Sequence, residues 1–580
     1  MKFVPAVLFA FTIVAAEHVF VDTSSPEMFK NWLSSHSLLG AESQLLDYAQ
    51  LEESSSSVSE LLGHQRRALI GGIKSWASAH LHGIEDAVKA LHDKEEYPYF
   101  HWIPPYVTSI KAGTKAAPQT TTWESKCFGN ITAVAATLDE NTVTFEITTG
   151  TPTHSGCSDF VLLGSVAAFT LKDFYKAETQ KFTWKMDKMT AAEKWDVTYN
   201  GIRVYRFPDN RLKTLSDLLK TANLFVSELT KGVPDEVAKA NIDFLEKYTH
   251  FTMNERKTQT VTINETEVHS GDFFGVIRLD GLDPMLAWAM GAVTGHTTTA
   301  LRIDGELYVV ESTTKDSYWP TNGIQKTPWK QWLAQAKAAG YNLVHAPLSA
   351  EMRAKFNETA AIEMFKEMEG VDYGYFNMLW GWVDTLKDNY PCVAPDYTNC
   401  LEWEHIPVLL GNVGRLISAA NTLIAPAFAQ RLNLPLDTEL AASLQTAAAR
   451  NIDPRSIPSM VEQDHWVYNT TRNGKPAMAK SMVCCVFVCN VWKAGGLFAD
   501  LDNEVNCAEQ TNWDDYTLAL FDKDAKRPAQ CQEADPDNQL CQLEGKYTVN
   551  LNDYNQKVPY QHMAEKCPTK GPDYKKPDNC

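Results

Sequence analysis

The run Met482–Phe498, MVCCVFVCNVWKAGGLF, holds three cysteines, Cys484, Cys485 and Cys489. A thiol works as its thiolate, so it needs a stabilising field, a base to take its proton and a third group to orient that base. A helix N-terminus supplies such a field through its dipole and unpaired amides. Apolar residues at 484, 487, 488, 491 and 492 form a core-facing stripe that ends at Gly495-Gly496, which places Cys484 at the mouth of a buried helix. The candidate base is His296, which opens the strand-like HTTTALRI just after Gly295. Asp304-Gly305 then predicts a tight turn into ELYVVES, whose Glu311 lies fifteen residues after the histidine. A hairpin of that length can set the Glu311 carboxylate against the second nitrogen of the imidazole. The chemistry expected of Cys484, His296 and Glu311 is attack on an amide or ester carbonyl through an acyl-enzyme.

Each of these residues also has a plainer reading. A buried cysteine is ordinarily core, and Cys485 and Cys489 are read that way, as a small buried residue and a structural one. His345 and His465 compete with His296 as base, but His345 reads as a strand end without an acid beside it. Asp272 is most simply a turn residue, and Tyr373, Tyr375 and Trp380 are core aromatics before they are substrate platforms. His80, His82, His92 and His101 lack the cysteine or carboxylate spacing of a zinc site, so no metal is expected. No phosphate-cradling glycine motif appears, and no cofactor is expected.

The elements that must position this trio follow from periodicity. Residues 1–16 read as a secretory signal and 17–99 as a helical segment, with removal as a pro-region left open. Residues 100–255 alternate as TTTWESKCFGNITAVAATLDENTVTFEITTG does, which predicts a β-rich domain followed by helices. From 256 to 504 a second α/β pattern begins: strand DFFGVIRL, a turn-rich linker, the hairpin carrying His296 and Glu311, helices at 328–339 and 349–369, and an insertion over about 385–475. Residues 505–580, rich in Cys, Pro, Asp and Lys, read as a disulfide-held tail. The expected class is α+β.

The pairing of GHTTTALRIDGELYVVES with a downstream VCCVFVCNVWKAGG resembles the circularly permuted branch of the NlpC/P60 papain-like superfamily, which includes the YiiX-like and lecithin:retinol acyltransferase-like proteins. In that branch the His strand precedes the Cys helix. The family motif has Cys, a small residue, any residue, an aromatic or Leu, then Val, with a later Gly after Lys or Ala. Cys484-Cys485-Val486-Phe487-Val488 and Lys493-Ala494-Gly495 follow it, although Cys485 stands where Ser or Thr is commoner. SGDFFGVIRL is similar to the Gly-Asp that opens the first core strand, and EGVDYGYFNMLWGW to the Gly-x-x-Tyr-Gly-Tyr segment between the halves. The resemblance covers about residues 265–500 and implies a permuted papain-like domain with a Cys-His-Glu triad.

Composition bounds the rest. A formal net charge of -19 without a basic run excludes nucleic acid as a partner. The twelve cysteines suggest local disulfides Cys127 with Cys157, Cys392 with Cys400, Cys531 with Cys541 and Cys567 with Cys580, and Cys507 can take Cys489. Adjacent cysteines rarely bond to each other, which leaves Cys484 and Cys485 reduced. Sequons at Asn130, Asn264, Asn357 and Asn469 fit a glycoprotein of the secretory pathway, lysosome included. The apolar stretch 406–432 is broken by Arg415 and Pro426, so it reads as a buried or interface-lying helix and not as a span. The expectation is a secreted cysteine peptidase or amidase. Its alternatives are a thiol acyltransferase or lipid-ester hydrolase at a membrane surface, and an inactive secreted binding protein.

Overall fold

The computed structural model describes residues 97–560 together with Val21–Asp22, apart from gaps of which the longest are 227–231, 315–320, 377–391 and 394–398. The signal peptide, nearly all of the helical segment 17–99, Trp380 and the Cys567 with Cys580 pair lie outside the described residues.

Alternation of apolar and polar residues builds the β-rich part. Its first sheet carries β1 (Tyr106–Ile110), β5 (Asp159–Gly164), β6 (Ala168–Phe174) and β8 (Ile202–Arg206), with Val21–Asp22 on the outer side of β6. The second is built on β2 (Gln119–Ser125), β3 (Gly129–Asp139), β4 (Thr142–Thr149) and β7 (Glu178–Lys185). β5 is apolar at nearly every position because both of its faces are covered. Val161 and Leu163 pack with Ile131, Phe145 and Ile147 of the second sheet. Phe160 and Leu162 turn the other way, into a core shared with Phe244 and Trp288.

The second α/β region is one antiparallel sheet in the order β12, β11, β10, β9, β13, β14. Its strands are β9 (Phe273–Arg278), β10 (His296–Ile303), β11 (Glu306–Thr313), β12 (Gly323–Pro328), β13 (Tyr341–Ala346) and β14 (Cys541–Glu544). The expected hairpin is β10 and β11, turned through Asp304 and Gly305, both at positive φ (53° and 85°). The linker before β10 holds a helix, α1 (Leu282–Met290), that its turn-rich composition did not suggest. Helix α2 (Trp329–Ala339) covers one face of the sheet, where Trp329 and Trp332 meet Phe274, Val276, Ala300 and Val309. The 349–369 region is two helices, Ala350–Lys355 and α3 (Glu358–Met368), separated at Phe356-Asn357 because Asn357 caps the second. Helix α4 (Cys484–Ala494) is buried through most of its length.

The tail is held by a disulfide, as expected, and also joins the sheet of the second α/β region. The Cys531–Cys541 disulfide is present, and β14 extends the sheet beside β13. Further up the tail, α5 (Asn512–Thr517) packs on α4. The insertion contributes helices His405–Leu416, Ser418–Arg431 and Leu440–Ala449. It ties the two regions together: His405 Nε2 lies 2.7 Å from the Pro104 carbonyl, and Asn412 Nδ2 donates to Ser165 O at 2.8 Å. Among the described residues, no helix is long and apolar enough to cross a membrane.

Candidate active site

The register of the hairpin explains how His296 and Glu311 meet. Thr299 stands opposite Val310, and that pairing continued places Glu311 opposite Thr298. His296 is two residues along the same strand, hence a diagonal neighbour on the same face, within reach of long side chains. His296 Nε2 lies 2.8 Å from Glu311 Oε2. The second carboxylate oxygen, Oε1, accepts from the indole N–H of Trp332 on α2 at 3.0 Å. Glu311 is 0% exposed, so both oxygens are occupied in a site closed to water.

His296 opens β10 at the end of the sheet, where the mouth of α4 meets it. The helix is preceded by Val483, which offers no side-chain cap, so the positive end of the helix dipole at Cys484 is not covered by a capping side chain. The imidazole hydrogen-bonds that thiol as well as Glu311. Burial pulls the His296 pKa down, but the hydrogen bonds to Cys484 and Glu311 outweigh it and push the value up to about 10. Cys484 moves the opposite way, well below the ordinary thiol range. The Cys485 hydrogen bond lowers it most, burial opposes, and the imidazole and the Thr297 backbone N–H lower it further. Both shifts favour moving the proton from the sulfur to the imidazole.

Four further side chains touch this cluster. The Cys485 thiol donates to Gln510 O at 3.1 Å, and burial with its neighbouring sulfur raises its pKa well above the usual thiol value. The Tyr373 phenol hydrogen-bonds Cys484, and burial raises it well above the ordinary tyrosine range. The protonated Cys484 thiol donates to Asn512 Oδ1 at 3.5 Å, and Asn512 Nδ2 donates to Thr294 O at 3.1 Å. Trp332 completes the set. Of these, Cys485 was read as a small buried residue and Tyr373 as core. Tyr373 is buried and packs edge-on against Tyr375 at 5.0 Å, but it also interacts with the sulfur. Asn512 and Trp332 were not foreseen. The Thr511-x-x-Asp514 capping box marks a helix start at Asn512, but nothing in it points to a thiol.

Gly374 places Tyr373, because a Cβ there would stand 2.2 Å from the Met482 backbone nitrogen. Its own N–H donates to Met482 O at 3.0 Å, so the tyrosine segment is pinned directly to the residues entering α4. From the other side, the Cys489–Cys507 disulfide ties α4 to the segment carrying Gln510 and Asn512.

His345 does have an acid beside it, contrary to its reading as an unpartnered strand end: Asp272 Oδ2 lies 3.0 Å from its Nε2. Asp272 is also more than a turn residue, since its carboxylate accepts from the backbone of His269 and Leu348. Sequence spacing missed this pair because β9 and β13 are distant in the chain yet adjacent in the sheet. His465 is exposed. The Cys127–Cys157 disulfide is formed, Cys392 stands opposite Cys400 in a short ladder, and Cys484 and Cys485 are the free cysteines among the described residues. Asn130, Asn264, Asn357 and Asn469 are all exposed.

One trio among the described residues has ligand atoms close enough for a metal, His101, Asp209 and Asp217. The Lys213 ammonium sits 2.5 Å from Asp209 and 3.8 Å from Asp217, so one cation already pairs with both carboxylates. Comparison with family models, curated proteins and solved structures finds no match to this chain.

Proposed function

We propose that the chain is an exported cysteine hydrolase, a peptidase or amidase of the permuted papain-like type, with Cys484 as nucleophile, His296 as base and Glu311 as the group orienting the imidazole. The observation that carries this reading is the continuous line from the Cys484 thiol through His296 to a Glu311 carboxylate whose two oxygens are both occupied. A buried carboxylate fixed by an indole N–H holds the ring in one orientation and stabilises its protonated form.

In this mechanism the Cys484 thiolate attacks a carbonyl carbon, and the C=O pair moves onto oxygen. The backbone N–H of Cys484 at the open helix start and the Tyr373 hydroxyl stabilise that oxyanion. Collapse restores the C=O and breaks the bond to the leaving group, which takes its proton from His296. Water then attacks the thioester, gives a proton to His296, and releases the acid with the thiol restored. The exposed sequons and the disulfides support a secretory route.

One observation favours the inactive binding protein instead: Cys484 is only 5% exposed and His296 8%. Iodoacetamide labelling of the unreduced, folded protein near neutral pH separates the two. Fast modification confined to Cys484, slowed in His296→Ala, is expected of the hydrolase. An unlabelled Cys484 would point to the binding protein.

A further inference from the structure

Asn512 presents the thiol with a group that does nothing for its activation. A carbonyl oxygen repels a thiolate, yet Oδ1 is held 3.5 Å from Cys484 Sγ. Its orientation is set by the other end of the amide, because Nδ2 donates to the Thr294 carbonyl at 3.1 Å and a flipped amide would turn two acceptors toward each other. Asn512 is 0% exposed and is the first residue of α5, locked by the reciprocal Thr511 and Asp514 cap. The Cys489–Cys507 disulfide anchors the approach to it. The donor it faces is the thiol proton itself; once that proton leaves the sulfur, this rigid acceptor stands beside the reacting atom with no donor until a bound substrate supplies one.

We infer that Asn512 Oδ1 accepts the N–H of the scissile bond, so that the enzyme acts on secondary amides in preference to esters and to N-alkylated amides. The inference rests on the cysteine hydrolase reading and narrows its substrate class. When the acyl carbon bonds to Sγ, the leaving nitrogen is one bond further on. The 3.5 Å between Sγ and Oδ1 leaves room for an N–H there to reach Oδ1 at an ordinary hydrogen-bond length, about 2.7–3.2 Å. The bond fixes the nitrogen with its lone pair turned away from Asn512. His296 gives its proton to that lone pair as the C–N bond breaks, and the original N–H stays on nitrogen, so the leaving group departs as an amine. An ester oxygen offers Oδ1 only a lone pair, and an N-methyl amide offers a methyl group. Both leave a buried acceptor unpaired, and a site built around a hydrogen bond discriminates strongly against analogues lacking the donor.

The test uses the full chain and three acyl donors sharing one acyl group: N-acetylglycine p-nitroanilide, its N-methyl anilide and the p-nitrophenyl ester. Acylation of Cys484 is followed by intact mass and peptide mapping. In the native protein the anilide is expected to react at least about tenfold faster than its N-methyl counterpart, and Asn512→Ala to lower the anilide-to-ester rate ratio about tenfold. A ratio within one protein cancels a partial loss of folded material, and the comparison on the native protein needs no variant. Equal rates for the two anilides, or an unchanged ratio in Asn512→Ala, overturns the inference while the hydrolase reading stands. If none of the donors acylates Cys484, the hydrolase reading falls and takes this inference with it.

Discussion

Glu311→Gln changes one atom at the centre of the candidate site, and its consequences can be worked through. Glu311 accepts two hydrogen bonds, from His296 Nε2 and from Trp332 Nε1. Glutamine has a single acceptor oxygen. If that oxygen faces His296, the amide NH2 is forced against the Trp332 N–H, donor to donor. If it faces Trp332, the NH2 points at His296 Nε2, which must then be the acceptor, so the ring proton sits on Nδ1 and the imidazole can no longer take the thiol proton there. Either way the imidazolium loses a charged partner worth about 1.5–3 kcal/mol, equivalent to about one to two pH units. The thiolate of Cys484 depends on that imidazolium. The acid limb of iodoacetamide alkylation at Cys484, followed from pH 4 to 10, should therefore move up by about one to two pH units, with alkylation slowed about 10- to 100-fold at pH values below the native limb and little changed above the shifted one. An acid limb that stays in place would refute the argument that Glu311 acts through His296. Equal slowing at every pH would point instead to a lost fold.

Three other outcomes follow from the same geometry. Trp332→Phe preserves the aromatic cover of the sheet but strips one donor from a buried carboxylate, so chemical denaturation should show a loss of about 1–3 kcal/mol. Gly374→Ala puts a methyl group into the Met482 backbone, displacing Tyr373 from the sulfur, and Cys484 acylation should fall by more than about tenfold while the melting temperature drops. Asp283 is pushed up to about 7, by burial first and by Asp280 second, with the Arg278 backbone N–H and the His296 charge opposing. The folded state therefore keeps a proton that the unfolded chain gives up near pH 4. Stability should fall as pH rises from about 4 to 7, by at most ~1.4 kcal/mol for each pH unit, and then level. Asp283→Asn should flatten that slope in urea titrations, and an unchanged slope would remove Asp283 as its source.

The local elements and the residue types that can react are written along the chain. The start of β10 at His296, the Asp304-Gly305 turn and the beginning of α4 at Cys484 are local events, set by alternation, turn chemistry and the 3.6-residue stripe. The pairing of His296 with Glu311 was legible for the same reason, since one hairpin register places both side chains. The disulfides Cys127–Cys157, Cys489–Cys507 and Cys531–Cys541 close loops of 30, 18 and 10 residues, short enough to be read along the chain. What surrounds the thiol could not be read that way. Tyr373 arrives 111 residues before Cys484 and Asn512 arrives 28 after it, each on its own element, and Trp332 reaches Glu311 through the packing of α2 on the sheet. The tail was read as a disulfide-held segment because of its Cys, Pro, Asp and Lys content, and beyond its Cys531–Cys541 bridge it supplies β14 and the helix bearing Asn512. Its few apolar residues are spent on contacts with other segments and leave no periodic stripe of their own. Which distant polar groups meet at a buried site is settled by packing, because each is selected by its partner across space and not by its neighbours in the chain.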